Sequence, residues 1–278
     1  MTQMIDGKKI SQEVKDELKE KVAALKAQGK TFTLAVIQVG ADPASSVYVG
    51  NKKKACAYIG IESLAYELPQ ETTQEELLEL VGKLNENPVV DGILVQLPLP
   101  GQIQEDKVLL AISPEKDVDG FHPANVGNLS IGRPGYVSCT PAGVIQLLKR
   151  SGIQIEGKEC VVLGRSNIVG KPMAMLLLRE NGTVTVCHSR TQNLKEITRR
   201  ADILVVAIGK PKFVDASFVK EGAVVIDVGI HRNEAGKLCG DVDFDSVAPH
   251  ASAITPVPGG VGPMTIAMLM HNVVEGGR

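Results

Sequence analysis

The sequence predicts an α/β protein of two domains, each built on a parallel sheet, and three observations carry that reading. The strand-like runs are apolar along their whole length, as strands covered on both faces are. They alternate with segments of helical period, which is the pattern of a parallel sheet with helices packed on it. The alternation breaks once, from about residue 121 to 139, at "FHPANVGNLSIGRPGYVSC", a Gly-, Pro- and Asn-rich stretch that reads as a long loop or linker. With 278 residues the chain can hold two ordinary domains.

Taken in order, Ile10, Val14, Leu18, Val22 and Leu25 recur at helical spacing and predict an amphipathic helix ending before Gly29. "TLAVIQV" (33–39) reads as a buried strand. A helix bearing three lysines follows, entered through Pro43, whose fixed φ suits a first turn. "SLAYEL" (63–68) is a second strand, and a helix from Thr73 to about Leu84 is introduced by Thr72 or Thr73. "GILVQL" (92–97) is a third strand, stopped by Pro98 and Pro100. After the break come a helix from Pro141 and strands at 159–163, 183–187, 203–208 and 223–228. The chain closes on "ITPVPGGVGPMTIAMLMHNVVE", a Gly-rich turn feeding a helix at Pro263. The expected domains are 1–139, 140–255, and a 256–278 segment whose helix packs back on the first.

Composition narrows the function classes. A net charge of −2 gives no broad basic field for nucleic acid or an anionic membrane. The longest apolar runs, Ile203–Ile208 and Met173–Leu178, are far too short to span a bilayer. "MTQMIDGKKISQEVK" has no apolar core after its charges, so no signal peptide is expected. The five cysteines include no C-x-x-C pair and read as reduced, mostly buried thiols of a cytoplasmic protein. The five histidines show no ligand spacing, so no metal site is expected. With no tryptophan and few other rings the core is aliphatic.

In the second half, "CVVLGRSNIVGKP" places Gly164, Ser166 and Gly170 between a strand and a helix. The dinucleotide fingerprint is G-x-G-x-x-G; here it is G-x-S-x-x-x-G. Gly164 can make the tight turn, and Ser166 can offer a hydroxyl where the usual glycine offers only room beside a pyrophosphate at the helix N-terminus. An ordinary glycine-containing turn has the same look. An NAD site usually carries an acid at the end of the next strand; here "TVTVC" runs into "HSRT" with none. Arg165 and Arg190, with Ser189, suit a 2′-phosphate through charge-assisted bonds, unless both arginines are simply solvated. The combination favours NADP over NAD.

In the first half, helical phase separates the three lysines. With Tyr48 at zero, Lys52 falls at roughly 40°, Ala55 at about −20° and Ile59 at about 20°, while Lys53 and Lys54 fall at roughly 140° and 240°. Lys52 is thus on the apolar side with Tyr48. Either it snorkels past the rim, or it is desolvated, which lowers its pKa and suits it to proton transfer. Gln96 interrupts an apolar strand just before its carboxyl end, where open α/β sheets bind ligands; its partner is the Lys52 ammonium or a local carbonyl. "SPEKDVDGFHP" holds Asp117 and Asp119. A calcium loop is set aside because no glutamate stands at the required later position. Both aspartates fit Asx-turns, or one carboxylate could grip a planar donor pair such as the amino–imino edge of a pterin.

With these residues in place, the chain resembles the bifunctional methylenetetrahydrofolate dehydrogenase/cyclohydrolase family in its small bacterial form. The matching stretches are "SSVYVGNKKKA", "DGILVQLPLP", "PEKDVDGFHP", "GRSNIVGKP", "TVTVCHSRT" and "TPVPGGVGPMT", in the family's order and across almost the whole chain. The resemblance implies a folate-binding catalytic domain, a Rossmann-like NADP-binding domain, and two linked reactions. The first oxidises 5,10-methylenetetrahydrofolate to the 5,10-methenyl cation with NADP⁺, and the second hydrolyses that cation to 10-formyltetrahydrofolate. These reactions belong to one-carbon metabolism, which serves purine, histidine and methionine biosynthesis.

Carried over by motif, the resemblance makes Lys52 the catalytic lysine, stacks Tyr48 on the folate's aminobenzoyl ring, bonds Gln96 to Lys52, and gives Asp119 the pterin. Val95 and Leu97, flanking Gln96, join the substrate contacts, and Pro258, Gly259, Gly260, Val261 and Gly262 line the folate side of the cleft. Gly164, Arg165, Ser166, Ser189 and Arg190 match the NADP contacts, with Ile230 a backbone contact beside the cofactor. The implied partners are a small-molecule folate and a second copy of the chain, in a homodimer joined through the cofactor domains, and neither nucleic acid nor a membrane. Two rival readings are another two-domain NADP dehydrogenase of shikimate type, and a non-catalytic nucleotide-sensing module.

Overall fold

In the computed structural model, which describes residues 2–233 and 235–276, the strand Thr33–Val39 is buried at all seven positions. It is the middle of a three-stranded parallel sheet, between Glu62–Leu68 and Gly92–Val95. This sheet belongs to a unit made of Glu13–Val137 and Ile266–Arg278. Its core packs Ala35, Ile37 and Ile93 against Leu77, Val81 and Leu84. Those three leucine and valine positions come from the helix Gln74–Glu86, which opens on a capping box. The Thr73 hydroxyl accepts from Glu76 N–H and the Glu76 carboxylate accepts from Thr73 N–H. Gly92 is required by close approach, since a Cβ there would lie 2.4 Å from Cγ1 of Val118. That contact lets residues 116–118 lie along the strand, with Ile93 N–H donating to the Lys116 carbonyl at 2.8 Å.

The stretch read as one long loop contains a helix, Pro123–Ser130. Proline occupies its first turn, and the His122 ring nitrogen accepts from Ala124 N–H. The helix is short and rich in residues that usually break helices. What holds it is the buried Asn125, whose amide bonds the Pro114 carbonyl and the Asp117 carboxylate. A further short helix, Glu105–Ala111, also escaped the sequence pattern.

The other unit consists of Met1–Gln12 and Ser138–Thr265. The sequence places the first twelve residues in the expected 1–139 domain. Here Gln3–Met4 pairs in parallel with Ala253–Ile254 and so extends this unit's sheet. The sheet order is Gln3–Met4, Ala253–Ile254, Val224–Asp227, Ile203–Val206, Glu159–Leu163, Thr183–Cys187, with every pair parallel. The chain lays down Glu159–Leu163, moves to one side for Thr183–Cys187, then crosses to the other for Ile203–Val206. The strand order therefore reverses beside Leu163, and that switch point is where open α/β sheets bind ligands. A small antiparallel pair, His231–Arg232 with Leu238–Cys239, sits outside the main sheet. The expected strand 203–208 stops at Val206 because Ile208 N–H leaves the ladder for the Asp241 carboxylate.

No helix among the described residues is long and apolar enough to cross a membrane. All five cysteines are free, and four of them are buried.

Candidate active site

The helix Pro43–Ile59 buries Val49, Ala55, Cys56 and Ile59. At about 100° per residue these four centre near 45° from Tyr48, and Lys52, at roughly 40°, lies in the middle of the stripe. Lys52 is only half-buried, and its Nζ donates to Gln96 Oε1 at 2.8 Å. Tyr48 shares the stripe's angular range one turn nearer the helix start, where it is 38 % exposed. A ring that stacks on a ligand has to present such an open face. Lys53 turns away and pairs with Glu67 at 3.0 Å on the surface, and Lys54 is exposed.

Gln96 follows the strand Gly92–Val95 directly, and its N–H still donates to the Ile37 carbonyl at 2.8 Å. Its side-chain Nε2 donates to the Leu97 carbonyl at 2.7 Å. That bond fixes which end of the amide is which and turns Oε1 toward Lys52. The local-carbonyl and lysine readings of Gln96 are therefore both realised, one at each end of the amide. Val95 packs its side chain into the core beside Ile37 and Ile93, so any substrate contact from it runs through its backbone. Leu97, half-buried, precedes a cis peptide bond to Pro98.

The two aspartates of the 117–119 loop have different surroundings. Asp117 is buried and its carboxylate accepts from Asn125 Nδ2 and His122 N–H, each at 2.8 Å. It ties the loop together. Asp119 accepts no hydrogen bond among the described residues. Burial pushes its carboxyl up to about 6; Lys52 pulls against that shift and Asp117 adds to it. An underused carboxylate held near an ammonium is a site for a ligand that donates hydrogen bonds. Asn272, on the helix Val261–Glu275, steadies the same loop by donating to the carbonyls of Val118 (2.8 Å) and Val137 (3.0 Å).

In the other unit, Gly164 ends the strand at the switch point with φ +131°. A Cβ on it would lie 2.1 Å from the Ala207 carbonyl oxygen, and one on Gly170 2.3 Å from the Gly164 oxygen. Both glycines are thus imposed by backbone contact, the requirement of a dinucleotide turn. The Ser166 hydroxyl accepts from Val169 N–H (3.2 Å) and Gly170 N–H (3.3 Å) at the start of the helix Gly170–Arg179. The serine therefore caps the helix, and its own proton is left to donate outward to an anion. Arg165 is exposed beside it. After the neighbouring strand, Ser189 and Arg190 are exposed in a turn closed by His188 and Thr191, where the His188 ring accepts from Arg190 N–H at 3.2 Å. Ile230 is exposed beyond the end of the strand Val224–Asp227. The residues present fit a dinucleotide with an extra phosphate: two paired glycines, a capping hydroxyl, and two exposed arginines, with no acid in the turn that follows the strand Thr183–Cys187.

Pro258 to Gly262 lie in this unit. Their turn rests on the start of the helix Gly7–Ala27, where Lys8 N–H donates to the Gly259 carbonyl at 3.1 Å. A Cβ on Gly7 would sit 1.8 Å from the Gly260 oxygen. Gly259 has φ +105° and the Val257–Pro258 bond is cis. Pro258 and Gly262 are exposed, whereas Gly260 and Val261 are buried. Among the described residues no group of His, Cys, Asp and Glu is placed to hold a metal ion.

Two family models match the chain. Residues 5–119 match the tetrahydrofolate dehydrogenase/cyclohydrolase catalytic domain, and residues 138–278 match the NAD(P)-binding domain of the same family. The chain belongs to the tetrahydrofolate dehydrogenase/cyclohydrolase family. A bifunctional protein FolD from Lachnoclostridium phytofermentans is 73 % identical over 100 % of this chain and 99 % of that protein. The crystal structure of a bifunctional FolD methylenetetrahydrofolate dehydrogenase/cyclohydrolase from Campylobacter jejuni superposes with a TM-score of 0.97. It is 52 % identical and covers 100 % of this chain and 99 % of that one. A Trypanosoma brucei dehydrogenase–cyclohydrolase, solved with NADP cofactor and inhibitor, is 43 % identical with a TM-score of 0.93 over 98 % of this chain and 96 % of that one. The chain is a bifunctional enzyme of folate one-carbon metabolism, and the shikimate-type and non-catalytic readings are set aside.

Proposed function

We propose that Lys52, held by Gln96, carries the proton traffic of the cyclohydrolase reaction, and that Asp119 and Tyr48 hold the folate on which both reactions occur. The observation that carries this is the 2.8 Å bond from Lys52 Nζ to an amide oxygen whose other end is anchored, beside a carboxyl that burial raises and that accepts no hydrogen bond among the described residues. The oxidant is NADP⁺, which accepts a hydride from the methylene carbon. That departure is driven by the folate's own nitrogens, so the protein's task in the first step is positioning. The Asp119 carboxylate accepts from the amino–imino edge of the pterin, and the Tyr48 ring stacks on the aminobenzoyl group.

The second step needs proton handling. Water attacks the methenyl carbon, Lys52 as a neutral amine takes the water's proton, and the same group returns a proton to the ring nitrogen as it leaves. One proton is released for each 10-formyltetrahydrofolate formed. Gln96 Oε1 accepts from the amine in either charge state, so it orients Lys52 without selecting one.

On the nucleotide side, Arg165 and Ser189 select the 2′-phosphate, with Arg190 beside them; Gly164 and the Ser166 hydroxyl face the pyrophosphate, and Ile230 flanks the cofactor. The enzyme is cytoplasmic and works as a homodimer joined through its nucleotide-binding units. The open edge of the sheet at Thr183–Cys187, with Val186 exposed, supports that joint.

A spectrophotometric assay with 5,10-methylenetetrahydrofolate tests the reading, comparing NADP⁺ with NAD⁺ and following the methenyl intermediate. Reduction of NADP⁺ followed by decay of the intermediate is expected. In the double variant Arg165→Ala/Ser189→Ala, the preference for NADP⁺ over NAD⁺ should fall by roughly 10- to 100-fold, the size of two lost charge-assisted contacts. An unchanged preference would remove both residues from the 2′-phosphate site.

A further inference from the structure

Two buried carboxylates outside the site described above are arranged in an unusual way. Asp241 is fully buried, and three consecutive backbone N–H groups converge on it: Ile208 at 2.7 Å, Gly209 at 3.0 Å and Lys210 at 2.8 Å. The His231 Nε2 lies 2.7 Å from its Oδ1, the oxygen that also accepts from Lys210 N–H. Asp227, also buried, accepts from the N–H groups of Gly229 (2.9 Å), Asp241 (3.0 Å) and Val242 (2.9 Å). Glycine is required around the pair. A Cβ on Gly240 would lie 1.9 Å from Asp227 Oδ2, and one on Gly229 2.5 Å from the Asp241 carboxyl carbon.

Two like charges in one buried place are costly. Burial, with the charge of Asp241 adding to it, pushes Asp227 up to about 6 against the pull of its three N–H donors. A core needing only bulk would hold apolar residues here. What the pair ties down is informative. Ile208–Lys210 and Gly229–His231 leave the carboxyl ends of two neighbouring parallel strands, Ile203–Val206 and Val224–Asp227, on the ligand-binding edge of the sheet. The first segment follows directly on Ala207, whose carbonyl oxygen already limits the Gly164 turn. The second contains the exposed Ile230.

We propose that Asp241, braced by Asp227, is a positioning residue for the dinucleotide: it sets the two backbone segments that flank the cofactor and so governs NADP affinity without taking part in the folate chemistry. The proposal rests on the family's dinucleotide site lying at this switch point. Asp241 touches no reacting atom. It acts through Ala207–Lys210 on the Gly164 turn and through His231 on Ile230.

The test is Asp241→Asn, which keeps the shape but replaces one acceptor oxygen by an amide that confronts the converging N–H groups. In the full-length enzyme, the KM for NADP⁺ and the Kd for NADPH, read by fluorescence without folate, should rise tenfold or more. The kcat at saturating NADP⁺ should stay within twofold. Hydrolysis of supplied methenyltetrahydrofolate, which uses no nucleotide, should also stay within twofold. His231→Ala, which frees only one of the two segments, should raise the KM by a smaller factor, about threefold. An unchanged nucleotide KM in Asp241→Asn overturns the proposal. A parallel loss of both activities with a lowered Tm overturns it too, since the pair would then be general support for the fold. The wild-type enzyme separates these from a failure of the underlying reading: if it neither reduces NADP⁺ nor hydrolyses methenyltetrahydrofolate, the assigned function falls first.

Discussion

Replacing Lys52 with methionine should slow hydrolysis of methenyltetrahydrofolate by roughly 10²- to 10⁴-fold, the range lost when a positioned general acid–base is removed. Methionine matches the aliphatic stem and fills the same place in the buried stripe of Val49, Ala55, Cys56 and Ile59, so the fold should tolerate it. It cannot donate to Gln96 Oε1 or exchange a proton with water. The nucleotide turn at Gly164–Gly170 belongs to the other unit, and the Kd for NADPH should remain within twofold. Stopped-flow decay of the methenyl absorbance and fluorescence titration of NADPH check the two halves. Hydrolysis at the wild-type rate would take Lys52 out of the mechanism.

A second large effect is expected at Asp119, and it has opposite signs for stability and for function. The carboxyl is raised from an ordinary 3.8 to about 6 in the folded protein, so the native state binds its proton more tightly than the unfolded chain. Stability from this group is complete below the unfolded value and is lost as pH rises from about 4 through about 6. By pH 7 the charged carboxylate costs the free enzyme on the order of 3 kcal/mol, at 1.36 kcal/mol for each pKa unit. Asp119→Asn should therefore stabilise the free enzyme at pH 7.5 by about 1–3 kcal/mol and leave it nearly unchanged at pH 4. The same substitution should weaken folate binding by a hundredfold or more, because an amide cannot accept two hydrogen bonds from the pterin edge. In the unsubstituted enzyme, folate affinity should fall about tenfold for each pH unit below 6. Thermal denaturation at the two pH values, with folate titration by calorimetry, checks both signs. A variant less stable at pH 7.5 would show that Asp119 is a structural group.

Much of the proposed site is legible in the sequence because the residues assigned to it are local exceptions to a pattern. Lys52 breaks an apolar helical stripe and Gln96 breaks an apolar strand, and each exception can be seen within ten residues. Helical phase also separates Lys52 from Lys53, which pairs with Glu67 on the surface. The supports are not legible in that way. Asn125 reaches Asp117 across eight positions, and Asn272 reaches Val118 across 154. No period or spacing marks such residues before the chain is folded. The same reason hides the pairing of Gln3–Met4 with Ala253–Ile254, two-residue strands defined only by each other. It also hides Asp227 and Asp241, whose partners are backbone N–H groups brought in by the sheet. The helix Pro123–Ser130 was concealed differently: its composition argues for a loop, and the buried Asn125 outweighs composition.

Ser166 shows a reading that the structure sharpened. The sequence suggests a hydroxyl offered to a pyrophosphate, but its oxygen lone pairs are already engaged by Val169 and Gly170 N–H. Only the hydroxyl proton remains for a ligand, so the serine can face an anion as a donor and in no other way.

The most direct test of the account is the fate of the methenyl cation in Lys52→Gln. Glutamine can still donate an amide hydrogen toward Gln96, yet it has no proton to exchange at neutral pH. Supplied with methylenetetrahydrofolate and NADP⁺, this variant should accumulate methenyltetrahydrofolate one for one with NADPH, with no enzymatic conversion to the 10-formyl product. Methenyltetrahydrofolate that disappears at the wild-type rate would contradict the assignment of the proton carrier to Lys52.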